Sequence, residues 1–352
     1  MSAESYSFTP GNRTGLSVSI ENLESAHVEP RWQQELRDAV RDLAELARLL
    51  DLPVETLARG RPGREAFPLL VPRGFIRRMR QRDPNDPLLL QILPTAAETV
   101  AHAGFTSDPL AEQGLARHGG ILKYPGRALL ITTAACPVHC RYCFRHEFPY
   151  AEQTAVGPDF AAALASIRAA ADIREIILSG GDPLSLSNSR LARLISAIEA
   201  LPNVRTLRIH TRFPIVLPSR IDTGLLHLLQ QTRLNTVIVV HANHPAEIDE
   251  SVSAAAAKLK ECTNLLLNQS VLLRGINDNV GTLIRLSERL LECGITPYYL
   301  HLLDRVSGTQ HFEIEETLAA HLIKDMRSRA PGYLIPRLVR DQAGELSKTS
   351  IQ

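Results

Sequence analysis

Five cysteines stand in this 352-residue chain, and three of them, Cys136, Cys140 and Cys143, fall within eight positions. Thiolates are the usual ligands of iron–sulfur clusters. Three on one short loop can hold three irons of a [4Fe–4S] cube and leave the fourth iron open for a substrate or cofactor. The rival chemistry is a zinc site, which wants four ligands. His139 or His146 could supply the fourth. Cys262 and Cys293 lie far from the triplet, near predicted helix ends, and read as buried structural thiols.

Other reactive residues follow at intervals along the chain: Ser179-Gly180-Gly181-Asp182, His210 and Arg212, His241, Gln269, and Asp304. Each lies just after an apolar, often β-branched run, at 128–133, 175–178, 204–210, 235–240, 264–267 and 296–300. Between the runs lie stretches with helical spacing at 159–171, 189–201, 221–231, 245–262 and 280–293. Strands alternating with helices predict βαβ units and a parallel sheet. Six such units predict an α/β fold, a partial (β/α)6 barrel. In barrels the catalytic groups sit at the C-terminal ends of strands, where these residues fall.

The first hundred residues read as helical. Leu36, Val40, Leu43, Leu46 and Leu50 recur at helical spacing over 30–50. A second helical segment over 63–80 is broken by Pro68 and Pro72, and a proline-rich turn surrounds Pro84 and Pro87. The expected organisation is a mostly helical region over 1–105, the barrel over 106–330 and an extended segment over 331–352. A formal net charge of +1 gives no reason to expect nucleic acid or an anionic membrane as partner. No apolar run approaches the roughly 18 residues of a membrane span, and the N-terminus lacks a signal-peptide pattern. These features predict a cytoplasmic protein whose thiols stay reduced.

The cysteine spacing resembles the CxxxCxxC signature of the radical S-adenosylmethionine (SAM) superfamily, and Phe144 fits the aromatic that packs beside such a cluster. Ser179-Gly180-Gly181-Asp182-Pro183 resembles the motif that binds the amino group of SAM. The glycines allow close backbone approach, and Asp182 can accept from an ammonium. Further stretches resemble the lysine 2,3-aminomutase family: CRYCFR (140–145), LSGGDPL (178–184), LPSRI (217–221), HANHPAEI (241–248), NQSVLLRGIND (268–278), PYYLHLLD (297–304) and Lys348-Thr349. They span roughly 120–350. The short form looks most like the branch that makes (R)-β-lysine for elongation factor P, to which a separate ligase attaches it.

That resemblance implies a [4Fe–4S] cluster, SAM and pyridoxal phosphate (PLP) as cofactors. An adenosyl radical would take hydrogen from the β-carbon of PLP-bound L-lysine, and the amino group would migrate. Lys348 would carry PLP through its amine. Asp304 and Asp341 would hold the ε-ammonium of the substrate, and Arg145 its carboxylate. Tyr124 and Arg127 fall around the PLP phosphate, with Lys123 where the family often has arginine. Ser179, Gly180, Gly181, Asp182, His241 and Gln269 would contact SAM, with Asn243 and Asn268 beside them, and Arg212 would reach either cofactor.

Two departures stand out. The longer catabolic aminomutases carry further cysteines for an intersubunit zinc, and no cysteine follows Cys293, so no such zinc is expected. His301 stands where those enzymes usually have tyrosine. Three alternatives remain at this point: a free-standing catabolic lysine 2,3-aminomutase, a radical SAM enzyme acting on RNA, and a non-enzymatic zinc-binding scaffold.

Overall fold

The computed structural model describes residues 29–58, 67–117, 120–151, 158–170 and 172–352, without the side chains of Arg117, Lys123, Pro158 and Asp159. The N-terminal leader reading and the start of the 63–80 segment lie outside the described residues, as does any role of the Lys123 side chain. Residues Arg31–Gln352 form one compact unit.

Ten strands make a single sheet in sequence order: β1 (Ala116–Arg117), β2 (Gly120–Tyr124), β3 (Arg127–Ile131), β4 (Glu175–Ser179), β5 (Thr206–Thr211), β6 (Asn235–Val240), β7 (Leu265–Val271), β8 (Thr296–His301), β9 (Arg337–Arg340) and β10 (Thr349–Ser350). From β3 to β9 every neighbouring pair is parallel. β1, β2 and β10 add antiparallel pairs, and β1 and β10 are the two edges of an open sheet. The six expected strands are β3 to β8. The expected extended tail instead begins as a short 3-10 turn, Gly332–Leu334, and then adds a seventh parallel strand, β9. Its four residues, with arginine at both ends, are too few and too polar at the margins to announce a buried strand.

Parallel strands buried on both faces need continuous apolar runs. Ile176, Ile177 and Leu178 on β4 and Val237 to Val240 on β6 supply them. The crossovers are α1 (Pro158–Ala169), α2 (Asn188–Glu199), α3 (Thr223–Gln231), α4 (Glu250–Cys262), α5 (Val280–Glu292) and α6 (Glu316–Arg329). Side-chain caps start four of them: Ser187 accepts from Arg190 N–H, Asp222 from Leu225, Asp249 from Val252 and Asn279 from Thr282. Each cap satisfies a backbone donor that the first helical turn leaves unpaired. On α5 the buried Val280, Leu283, Leu286 and Leu290 form one face, set by 3.6-residue periodicity.

The N-terminal segment is less helical than its periodicity predicts. Asp42 caps a fresh helix, Leu43–Leu49, separate from Arg31–Arg37. Val40 between them forms an isolated antiparallel bridge with Val71, N–H to carbonyl at 2.8 and 3.0 Å. The apolar spacing holds across the break because both helices bury their stripe in the same core. That core joins Trp32, Leu46, Leu50, Phe75, Leu88 and Ile92 to strand residues such as Leu178, Leu207 and Ile209. Arg220, fully buried, ties the two parts: its guanidinium lies 4.7 Å from the Trp32 ring centroid and donates to the Leu184 and Leu186 carbonyls. No helix among the described residues is long and apolar enough to cross a membrane.

Candidate active site at the strand ends

The loop after β3 carries the three cysteines, all free and partly exposed. Burial pushes the Cys143 thiol up to about 11, and burial with the neighbouring thiols raises Cys136 well above the usual range. The loop is held from behind by the N-terminal segment. Arg141 N–H donates to the Gln91 carbonyl, and His139 N–H to that of Leu70. The Arg141 guanidinium is buried in an ion pair with Glu98 and donates to the Phe67 carbonyl at 2.6 Å. His139 spends Nδ1 on the Pro68 carbonyl and stacks on Phe67, and His146 spends Nδ1 on the Cys143 carbonyl. Among the described residues no three His, Cys, Asp or Glu side chains gather as the ligands of one metal ion would.

The Ser-Gly-Gly-Asp turn after β4 is packed onto this same loop. Gly181 N–H donates to the Thr133 carbonyl at 2.7 Å and Asp182 N–H to that of Ala135 at 2.8 Å. A Cβ on Gly181 would stand 2.5 Å from the Ala135 carbonyl oxygen, and one on Gly180, whose φ is +117°, 2.8 Å from that of Thr133. The glycines thus admit the backbone of the cysteine loop itself. Gly181→Ala is expected to push that loop away at a cost of roughly 1–3 kcal/mol or more, and to lower iron bound per chain after reconstitution. Gly332→Ala, where a Cβ meets nothing within 4 Å, is the control. Equal iron content in the two variants would refute the coupling.

Asp182, 4% exposed, accepts from Leu184 N–H and Thr211 Oγ1 with one oxygen and from Arg212 N–H with the other, at 2.6–3.0 Å. Burial outweighs these bonds and raises its carboxyl to about 6. The carboxylate expected to face an ammonium is therefore already occupied in bracing the end of β4 against β5. Arg212 is likewise a brace. Its terminal nitrogens donate to Cys140 Sγ, Tyr142 Oη, Gln91 Oε1 and Glu247 Oε2, while Nε is buried without a partner. Burial works against its charge, but Cys140, Tyr142 and Glu247 together hold the guanidinium more firmly protonated than usual. Asn243 Nδ2 donates to the same Gln91 and Tyr142 oxygens, and His241 Nε2 lies 3.0 Å from Tyr142 Oη. Asn268 is spent on Ala242 and Ser270, pinning β7 to the end of β6. Half-buried Gln269 sits at a register shift between β7 and β8.

Arg145 was expected to hold the substrate's carboxylate; in the structure it faces the carboxylate of Glu112. Nε and Nη2 form a fork onto Glu112 at 2.7 and 3.0 Å, while Nη1 donates to Ser179 Oγ at 3.0 Å. Burial opposes the charge, and Glu112 more than restores it. Nothing in the sequence around Glu112 flagged it.

Lys348, just before β10, donates from Nζ to Asp341 Oδ2 at 2.6 Å, and Tyr124, at the end of β2, donates from Oη to Asp341 Oδ1 at 2.5 Å. The Arg127 guanidinium lies 5.1 Å from the Tyr124 ring centroid. Asp341 was expected on the substrate, and here it holds the ammonium of Lys348. Asp304, partly buried, follows β8. Two imidazoles missed as a pair lie close by. Burial and then Lys348 lower His301 to about 3, and burial, Arg208 and Lys348 depress His210. Both rings are neutral, and both Nε2 atoms are buried without a hydrogen-bond partner. A primary amine, an arginine and two orphaned imidazoles suit an aldehyde-bearing phosphate such as PLP, and three partly exposed thiols on one loop suit a cluster with an open iron.

Residues 123–213 match the family of 4Fe-4S single cluster domains. An L-lysine 2,3-aminomutase of Escherichia coli is 44% identical over 321 residues, covering 91% of this chain and 94% of that protein. One of Haemophilus influenzae is also 44% identical, over 91% and 95%. The chain belongs to the L-lysine 2,3-aminomutase family. Its likeness reaches the L-lysine 2,3-aminomutase of Clostridium subterminale, 32% identical over 91% of this chain and 77% of that protein. As a member of this family the chain is an enzyme, an isomerase. The [4Fe–4S] cluster, SAM and PLP expected from its sequence are the cofactors of L-lysine 2,3-aminomutases.

Proposed function

We propose that this enzyme converts (S)-α-lysine to (R)-β-lysine with cluster, SAM and PLP, and that the product is attached to elongation factor P by a separate ligase. The observation that supports the lysine chemistry best is Lys348 on Asp341 beside Tyr124, in the same sheet whose β3 and β4 ends carry the thiols and the Gly-Gly turn. Strands β3 to β8 are read as a partial (β/α)6 barrel, with 1–105 as a helical region, 106–330 as the barrel and 331–352 as the tail bearing Lys348.

Bound together, the cofactors supply a carbon radical and a carrier for the migrating amino group. The chain holds and orients them. Cys136, Cys140 and Cys143 ligate three irons. Ser179, Gly180 and Gly181 shape the SAM site, with Gln269 and His241 lining it. Arg127 and Tyr124 sit at the phosphate, and Lys348 holds PLP by its amine. Arg145 keeps a guanidinium at the substrate carboxylate, and Asp304 and Asp341 take the ε-ammonium.

Anaerobic turnover tests the reading: reconstituted protein with SAM, PLP, a reductant and L-lysine is expected to yield β-lysine only when SAM is present. An intact cluster that cleaves SAM but leaves lysine unchanged would overturn the substrate. Transfer of the product by the ligase to elongation factor P tests its destination. Asp304→Asn is expected to raise the KM for lysine by roughly 10- to 100-fold, the loss of one charge-assisted hydrogen bond, without changing SAM affinity. Equal weakening of both ligands would remove Asp304 from the substrate's end.

A further inference from the structure

Side chains alternate between the two faces of a strand. Leu207 and Ile209 of β5 belong to the core with the helices, and Leu300 of β8 packs in one cluster with Val280 and Leu283 of α5. His210 and His301, each one residue further on, therefore point to the opposite face. That is the face on which Ser179 of β4 meets Arg145. Lys348 and His301 both bear on the charge of His210, and Lys348 bears on that of His301, so the three lie within electrostatic reach of one another. Nε2 of each imidazole is buried and has no hydrogen-bond partner among the described residues. A buried polar atom left unpaired is costly, and two on one face beside a reactive amine point to a ligand that pairs them.

We infer that His301 donates from Nε2 to the phenolic oxygen of PLP and His210 from Nε2 to its pyridine nitrogen, so that the pair positions the ring. The inference rests on the reading of Lys348 as the PLP lysine. In that reading Lys348 meets the aldehyde, and Tyr124 and Arg127 sit at the phosphate. Two polar atoms of PLP are then left: the phenolic oxygen, beside the aldehyde-bearing carbon on the ring, and the pyridine nitrogen, across the ring from it. Both accept hydrogen bonds, and a neutral imidazole with its hydrogen on Nε2 donates one. Placement on the sheet decides which ring meets which atom. His301 is in register with Val339, two residues before the Asp341 that holds Lys348. Lys348 is also the charge that weighs most on His301. His210 stands three strands away on β5, where Arg208 outweighs Lys348. A carboxylate at the pyridine nitrogen would hold a proton there, and a neutral donor does not. The ring then draws electrons less strongly, which suits a carrier in radical chemistry.

The test is a cycle of variants against analogues, read as affinity by equilibrium dialysis on cluster-reconstituted protein. The ligands are PLP, 3-deoxy-PLP, which lacks the phenolic oxygen, and 1-deaza-PLP, in which a C–H replaces the pyridine nitrogen. His301→Phe is expected to weaken PLP and 1-deaza-PLP by about tenfold, the loss of one hydrogen bond, and to leave 3-deoxy-PLP as in wild type. His210→Phe is expected to weaken PLP and 3-deoxy-PLP by about tenfold and to leave 1-deaza-PLP as in wild type. His301→Gln, which keeps a donor at similar reach, is expected to stay near wild type for all three. Iron content and circular dichroism establish that each variant is folded. A merely structural pair of imidazoles would weaken the three ligands equally, and that result overturns the inference, as does a phenylalanine variant that binds PLP as well as wild type or a crossed pattern of losses. If wild type forms no lysine-bound absorbance band with PLP, the PLP reading itself falls.

Discussion

Cys140→Ser is expected to abolish SAM cleavage while leaving the sheet folded. Cys140 is central among the three thiols, and its sulfur lies against Arg212 Nη1. A serine hydroxyl keeps the side chain's shape with a smaller atom, and it is a poor ligand for iron compared with a soft thiolate. The loop does not need the sulfur to keep its shape. Its hold comes from backbone bonds to Gln91 and Leu70 behind it and from Gly181 and Asp182 in front. The variant should therefore show wild-type circular dichroism, a large loss of iron and sulfide per chain, and turnover below detection, since enzymes contribute roughly 10^6-fold or more over background. Serine protein with full iron and undiminished SAM cleavage would remove Cys140 from the ligand set.

Lys348→Ala is expected to separate the two halves of the chemistry. Among the described residues the hydrogen bond of the Lys348 side chain runs to Asp341 and not to the cysteine loop, so cluster content and SAM affinity should match wild type. PLP should lose its covalent hold, seen as loss of the lysine-bound absorbance band, and lysine turnover should fall by about 1000-fold or more. Unchanged absorbance and turnover would show that another amine carries PLP, and the assignment of the tail would fail.

What the sequence disclosed depended on how locally each feature is encoded. The three thiols lie within eight positions, so one loop discloses all three proposed ligands. Strands β3 to β8 advertise themselves because burial on both faces demands unbroken apolar runs. Arg145, Asp182, Arg212 and Asp341 stood out by type, but type says what charge a residue carries and not what neutralises it. In a dry site neutralisation is obligatory. It is supplied here by Glu112, 33 positions from Arg145, and by Glu247, 35 positions from Arg212. No periodicity links such partners. The two-helix break at Val40 was hidden for a related reason: one apolar stripe serves two helices as well as one, and only the capping oxygen of Asp42 marks the new start.

Gln91 carries a consequence for portability. It is fully buried, it belongs to the N-terminal segment, and its side chain serves Arg212, Tyr142, Asn243 and Glu247 at the ends of three different strand–helix units. Its carbonyl also anchors the cysteine loop through Arg141. The stretch that matches the single-cluster family, 123–213, contains all three thiols proposed as ligands yet lacks this brace. Excised or grafted alone, it would leave Arg212 charged, buried and short of acceptors. The cluster-binding sequence is thus not an interchangeable cassette, and a recombinant chimera would inherit a working centre only by taking Gln91 and its flanking helix with it.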